Sequence, residues 1–417
     1  PPGGRFAAAR AAAAGWSTRG YLAVYAASAV ACCALAATGH HRFVDLRVYQ
    51  MGGRAALHGA NLYNLRFRGL PFTYPPFPAV LFSLVSMLPW LAAAVLMIAS
   101  SAVLLPAMLY LALRLEPLRS RLGQRDAWRV ALAAAAAAIW LEPVRSALGY
   151  GQVDLFLAAA VLYDLVLPDT ARRKGVAIGL TAGIKLTPAI FVIYLLVTRR
   201  FRAAATATAV LAATVAVGFA ALPGSSVRYW DGTFVNPRHI SPVQDPQNQS
   251  LLGVMARTLH TPDVEHLWLP VALLVAVAGL GLAAAAQRRG DEAAGFCLCA
   301  ITGLLISPIS WTHHWVIAVP GLVIAAVAIH QGRIRPPLAR GLGAAALTAL
   351  AVIGWGRLAR RVPGGSHWLN LPAIGLADSM LYVLVGLAAL TLAAWLTLAN
   401  QLSRHRALGQ EAPTTLR

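Results

Sequence analysis

Long apolar runs alternate with short polar segments along this chain, and the polar segments are of two kinds. Arg and Lys gather at one set of run ends: Arg5, Arg10 and Arg19, then Arg114–Arg129, Arg172–Lys174, Arg199–Arg202, Arg288–Arg289, Arg333–Arg340 and Arg404–Arg406. The opposite ends carry mixed polar and aromatic motifs: Val44–Tyr49, Leu70–Phe77, Glu142–Gln152, Lys185–Pro188, Gln247–Ser250 and Ser307–Trp315. A spanning helix needs roughly 20 mostly apolar residues, and the sequence offers about a dozen such runs. Backbone polar groups are satisfied in hydrocarbon only by helices or closed barrels. These runs lack the alternation of barrel strands, so the pattern predicts an all-α polytopic integral membrane protein with about 12 spans.

Basic residues favour the cytoplasmic ends of spans. Placing the clusters there puts the other motifs outside and divides the chain into a cytoplasmic segment 1–20, one transmembrane domain 21–400 and a cytoplasmic tail 401–417. Two outer loops result, 38–76 and 223–265. This topology requires Phe77–Leu113 to cross only once, with Phe77–Leu88 a half-helix, and Val176–Val197 to break at Lys185–Pro188. Tyr21–Ala37 follows basic residues as a signal peptide would. No small-residue cleavage site precedes His40, so it is expected to be a retained first helix.

Composition agrees: 58% of the 417 residues are hydrophobic and 12% charged, against about 25% charged in soluble proteins. The net charge of +20 does not point to nucleic acid, because the Arg residues flank apolar runs, where they orient helices and meet anionic headgroups. Cys32, Cys33, Cys297 and Cys299 match no metal spacing.

The candidate chemistry lies in the outer motifs. Asp45 reads equally as a general base at the lipid–water boundary and as a helix cap. Arg47 stands where a second carboxylate would suggest a divalent metal, and offers a phosphate-binding fork instead. Thr73 and Tyr74 are held between prolines, as interfacial anchors or as part of a site. Glu142, Arg145 and Gln152 bracket one turn, where an ion pair between helices and a contact to lipid phosphate are both open. Lys185, mid-run, is expected to meet an anion, either Asp154 or a phosphate. His313 and His314 are weak evidence for zinc and better donors to a phosphate oxygen. Trp311 suits an interfacial belt or a sugar-stacking surface. Asn248 and Gln249 either cap the following helix or bind sugar hydroxyls.

In order and spacing, the motifs Phe43–Tyr49, Leu70–Phe77, Glu142–Arg145 with Gly151-Gln152, Gly183–Pro188, Asn248–Ser250 and Ser307–Trp315 resemble glycosyltransferase family 87. The likeness is to its actinobacterial alpha-(1-2)-mannosyltransferases of phosphatidylinositol mannoside and lipomannan synthesis. It runs from about Phe43 to Pro320 and is only hydropathic beyond Gly321. It implies the GT-C membrane fold with its active site facing outward in the cell membrane, and an inverting transfer of mannose from polyprenyl-phosphate-mannose to a glycolipid or lipoglycan hydroxyl. Asp45 would be the catalytic base. Lys185, Arg145, His313, His314 and Arg47 would meet the donor phosphate, and Tyr74, Thr73, Glu142, Gln152, Asn248, Gln249 and Trp311 the sugars. Neither metal nor other cofactor is implied. A shorter linker between Tyr63 and Leu70, and Asp154 where an Asn is more familiar, keep an arabinofuranosyltransferase open. A lipid-linked sugar flippase is the rival from another class, although the repeated halves common in transporters are not visible.

Overall fold

A computed structural model describes the backbone of residues 17–37, 43–330 and 380–410, and side chains at 17–34, 43–330 and 380–397. Residues 1–16 of the expected segment 1–20, residues 411–417 of the expected tail 401–417, the Arg333–Arg340 cluster and the Leu342–Ile353 run lie outside the described residues.

The described fold is all-α apart from one two-stranded ribbon. In chain order the helices are α1 (Thr18–Ala37), α2 (Val44–Leu57), α3 (Pro76–Ser86), α4 (Trp90–Leu113), α5 (Gln124–Ala138) and α6 (Glu142–Tyr150). They continue with α7 (Asp154–Val166), α8 (Val176–Ile184), α9 (Ile190–Val197), α10 (Phe201–Ala221), α11 (Pro223–Trp230) and α12 (Pro237–Ile240). The rest are α13 (Leu251–Thr258), α14 (Glu265–Arg288), α15 (Glu292–Ile306), α16 (Val319–His330) and α17 (Leu381–Gln410). Strands β1 (Arg66–Phe67) and β2 (Leu70–Pro71) pair antiparallel between α2 and α3.

This is a multi-pass membrane protein, but not a row of a dozen equal spans. Among the described residues four helices are individually long and apolar enough to cross: α4, α10, α14 and the 3₁₀–α16 unit Thr312–His330. Counting the pair α5–α6, bent by 77°, gives five. The expected runs at α3, α7, α8, α9 and α15 form helices of 8 to 15 residues ending at breaks, because proline and polar motifs interrupt the backbone ladder. As the positive-end argument required, Phe77–Leu88 yields only the 11-residue α3, and Val176–Val197 divides at Lys185 into α8 and α9.

Among the described residues three apolar clusters result: a small one of Val243, Leu252, Ala256, Val264 and Ile309, and two main cores. The larger joins α1 and α4–α10 with α13–α17. The smaller is rich in aromatics and joins α2, α3, the ribbon, the start of α4 and the first turns of α7; it holds Tyr49, Tyr63, Phe72, Tyr74 and Phe82. Helices α2 and α3 meet at backbone distance through glycine. A side chain at Gly53 would collide with the Phe82 carbonyl, and one at Gly52 with the Phe72 ring. Gln50 adds hydrogen bonds from its amide to the carbonyls of Val85 and Leu88 (both 3.3 Å). The described part of the expected outer loop, 43–76, is therefore no loose connector: it docks a 14-residue helix on the bundle.

Candidate active site

Asp45 lies in the first turn of α2 without capping it. The cap position belongs to Phe43, in left-handed backbone (φ 52°) with no side-chain cap bond, and the helix-cap reading of Asp45 falls away. The Phe43 amide donates to the Gly149 carbonyl (2.9 Å) at the end of α6. Gly151 ends that helix at φ 71°. A Cβ there would stand 2.9 Å from that of Leu46, so the bare backbone lets the α6–α7 turn close on α2.

This contact delivers Gln152 to Asp45. The Gln152 amide donates to Asp45 Oδ2 (2.7 Å), and its carbonyl oxygen accepts from Tyr49 (2.6 Å) and Tyr74 (3.2 Å). Two hydroxyl donors on the oxygen fix the amide so that its NH₂ faces the carboxylate. The Tyr49 ring stacks on Phe82 (4.4 Å between centroids), and the Tyr74 carbonyl accepts from Tyr63 (2.9 Å). Burial raises the Asp45 carboxyl to about 7, against the lowering influences of the Gln152 hydrogen bond and the Lys185 charge; the Asp154 charge adds to the rise. A base poised there is matched to neutral pH.

Lys185 sits at the α8–α9 break in extended backbone, and its ammonium donates to Asp154 Oδ1 (2.6 Å) at the start of α7. Of the two expected partners, the carboxylate is the one observed. Asp154 Oδ2 lies 3.9 Å from His313 Nε2, and the rings of His313 and His314 stand 4.8 Å apart. Asp154 Oδ2, both His313 nitrogens and His314 Nδ1 are buried and make no hydrogen bond within the described protein. An adjoining pocket has Asp154, Lys185 and His314 at its polar end and Phe191, Leu304 and Ile317 among its apolar walls. That is the form expected of a site for a charged head on an apolar tail. Asp154, His313 and His314 also place three possible metal-ligand atoms within 4.8 Å of one another, but the Lys185 ammonium already supplies a cation to the carboxylate.

The other predicted residues divide. Glu142 accepts from Thr312 (2.9 Å), Ser146 (2.5 Å) and Tyr382 (3.0 Å), tying α6 to the His313 segment and to α17. Asn248 is buried and fully occupied: its amide donates to the Val243 and Pro308 carbonyls, and its oxygen accepts from the Ser310 amide. Gln249 donates through its backbone to Ser310 (2.7 Å) and accepts at its side chain from the Tyr382 amide. Ser250 is the true cap of α13, accepting from Gly253. Trp311 bridges the backbone of Asn248. These residues shape the wall that carries His313. Arg145 is within electrostatic reach of Cys32 in α1, and Thr73 is half-buried beside Tyr74. Arg47 stacks on Trp90. Sequence reasoning gave no role to Tyr49 or to Arg257. The latter is completely buried in α13 and donates to the Asp245 and Asn248 carbonyls.

Known proteins resemble this chain in sequence. A model of glycosyltransferase family 87 matches residues 72–308. The polyprenol-phosphate-mannose-dependent alpha-(1-2)-phosphatidylinositol mannoside mannosyltransferase of Mycobacterium tuberculosis is 36% identical over 69% of this chain and 71% of its own length. A protein of the same description from Mycolicibacterium smegmatis is 33% identical over 81% and 84%. The phosphatidylinositol pentamannoside mannosyltransferase of that organism is 36% identical over 77% and 75%. Among solved structures, ArnT from Cupriavidus metallidurans bound to undecaprenyl phosphate aligns with 89% of this chain and 78% of its own, at 16% identity and a TM-score of 0.41. With a family match over more than half of its residues, and relatives above 30% identity over most of theirs, the chain belongs to glycosyltransferase family 87 and is a glycosyltransferase.

Proposed function

We propose that this protein transfers mannose from polyprenyl-phosphate-mannose to a hydroxyl of a glycolipid or lipoglycan, by alpha-(1-2) linkage, at the outer face of the cell membrane. The observation that carries the reading is the pairing of two unlike groups at one end of the bundle. A carboxylate raised to about 7 and oriented by Gln152 stands within electrostatic range of a lysine whose surroundings include unpaired buried imidazoles. Asp45 takes the proton of the acceptor hydroxyl as that oxygen attacks the anomeric carbon; the bond from sugar to phosphate breaks, and configuration inverts. Charge collects on the leaving polyprenyl phosphate, where the Lys185 ammonium and imidazole N–H groups of His313 and His314 meet it. Asp154 holds the ammonium in place. The donor's isoprenoid follows the apolar walls beside Phe191 and Leu304.

Lys185 serves as the cation, so the reading includes no metal ion and no organic cofactor. The outward orientation rests on the basic ends: Arg114 follows α4 and Arg288 closes α14, both away from the end where α7 begins at Asp154.

The test is transfer of radiolabelled mannose from polyprenyl-phosphate-mannose to glycolipid acceptors by the purified protein, with and without chelator. Labelling that persists in chelator and vanishes in Asp45→Asn, with donor binding intact, supports the whole reading. A fully active Asp45→Asn removes the catalytic assignment. Labelling from polyprenyl-phosphate-arabinose in place of the mannose donor would replace the sugar.

A further inference from the structure

One face of α2 is not used by that reaction. Arg47, Met51, Arg54 and His58 follow one another at steps of four, three and four, which places them in a single stripe along the helix. On it the Arg47 guanidinium lies 3.4 Å from the centre of the Trp90 ring, and Phe43 meets the same indole edge-on at 6.1 Å. A guanidinium stacked this way keeps its N–H edge available for a planar pair of oxygens. Partial burial, then the like charges of Arg54 and Arg68, lower the Arg47 guanidinium from its ordinary range. Three guanidinia therefore crowd one place, and among the described residues no carboxylate lies within ion-pair distance of any of them.

The depth of the stripe matters as much as its charge. Met87 and Leu91, in and just after the turn that leads into Trp90, are 71% and 72% exposed. They are apolar side chains suited to lipid, and the indole of Trp90 beside them is a group that favours the interface. The stripe thus borders the membrane surface at headgroup height, on the helix that carries the base. The donor phosphate has its own cations at Lys185 and the histidines, and Arg47 is not among the charges that act on Asp45.

We infer that Arg47, Arg54 and Arg68, with Trp90, dock the phosphodiester headgroup of the acceptor lipid while its glycan reaches back to Asp45. The inference rests on the glycolipid acceptor of the proposed function and adds where the anchor of that acceptor is held. Arg54 lies nine residues beyond Asp45, about 13 Å along the helix axis. A phosphodiester anywhere along the stripe thus leaves its sugars a path to the base.

The test is binding to the full-length protein in phosphatidylcholine nanodiscs of two probes with the same mannose portion, a phosphatidylinositol mannoside and an uncharged alkyl mannoside. Wild type is expected to prefer the phosphodiester probe by tenfold or more, with a preference that declines as salt rises. Arg54→Ala and Arg47→Ala should each remove most of that preference, while Arg47→Lys should retain part of it. Equal affinity of wild type for both probes overturns the inference, as does an equal loss on both probes in the variants. Displacement of the glycolipid by phosphatidylglycerol as readily as by more glycolipid also overturns it, because the stripe would then bind bulk acidic lipid. Circular dichroism melts of each variant exclude unfolding. The readout needs no turnover, so a failure of mannose transfer with the binding contrast intact would remove the proposed reaction and leave the docking stripe standing.

Discussion

The two ends of the bundle both bury charged groups and treat them in opposite ways. At the basic end the buried ions Asp164, Glu292 and Lys174 each have several partners. Asp164 accepts from the amides of Gly175, Ala177 and Ile178 at the start of α8, a carboxylate at the positive end of a helix. Glu292 takes both arms of Arg200 and the Tyr194 hydroxyl. Lys174 donates to the carbonyls of Leu165 and Leu167 and pairs with Asp169. At the other end, Asp45 has one amide donor and a raised carboxyl, and Asp154, His313 and His314 keep buried polar atoms unpaired. Saturated networks hold a fold together, whereas unsatisfied ones persist where a ligand completes them. The contrast separates structural charge from working charge without reference to any relative.

The contrast breaks most sharply under substitution. Asp45→Asn should lower kcat by roughly 10²–10⁴, the usual worth of a positioned general base, and should not unfold the protein. Its linkage runs the other way. A carboxyl raised in the fold stabilises most below its unfolded value near 4 and loses that contribution as pH rises through about 7. The Asn variant should therefore melt above wild type at pH 8, which calorimetry or a thermal-shift series reads directly. Glu292→Ala, at the saturated end, should destabilise by about 3–5 kcal/mol, because it strands the buried Arg200. Whatever protein remains folded should keep its kcat. Lys185→Ala should cost about 10²–10³ in kcat, the worth of one preorganised electrostatic contact, with labelled-mannose transfer as the assay. The smallest effect sharpens the comparison most. Activity governed by Asp45 should rise with pH to a plateau above about 7. Gln152→Leu removes a hydrogen bond that lowers the carboxyl, so the rising limb of its kcat/KM profile should move to higher pH. An unmoved limb would mean that Gln152 does not orient the base.

The sequence disclosed the class of fold because hydropathy acts locally along the chain. It disclosed Lys185 because an ammonium amid apolar residues needs an anion wherever it is. It could not separate working amides from structural ones. Gln152 and Asn248 look alike as polar residues beside loops, yet one donates to the Asp45 carboxylate while the other is consumed by Val243, Pro308 and Ser310. That difference depends on partners about 60 to 107 residues away. Glu142 likewise becomes a tie only when Thr312, and Tyr382 of α17, arrive. Arg257 gave no signal of its own, since the carbonyls of Asp245 and Asn248 that accept from it are groups every residue type carries.

The glycines that seat α2 on α3 have a consequence for which hydroxyl reacts. With the Phe82 carbonyl against Gly53 and the Phe72 ring against Gly52, the helix bearing Asp45 has no slack to slide or roll. A base that cannot follow its substrate imposes regiochemistry: only the hydroxyl presented along its fixed line of approach loses a proton. Divergence toward another linkage would then come through altered presentation of the acceptor, with the base left where it stands.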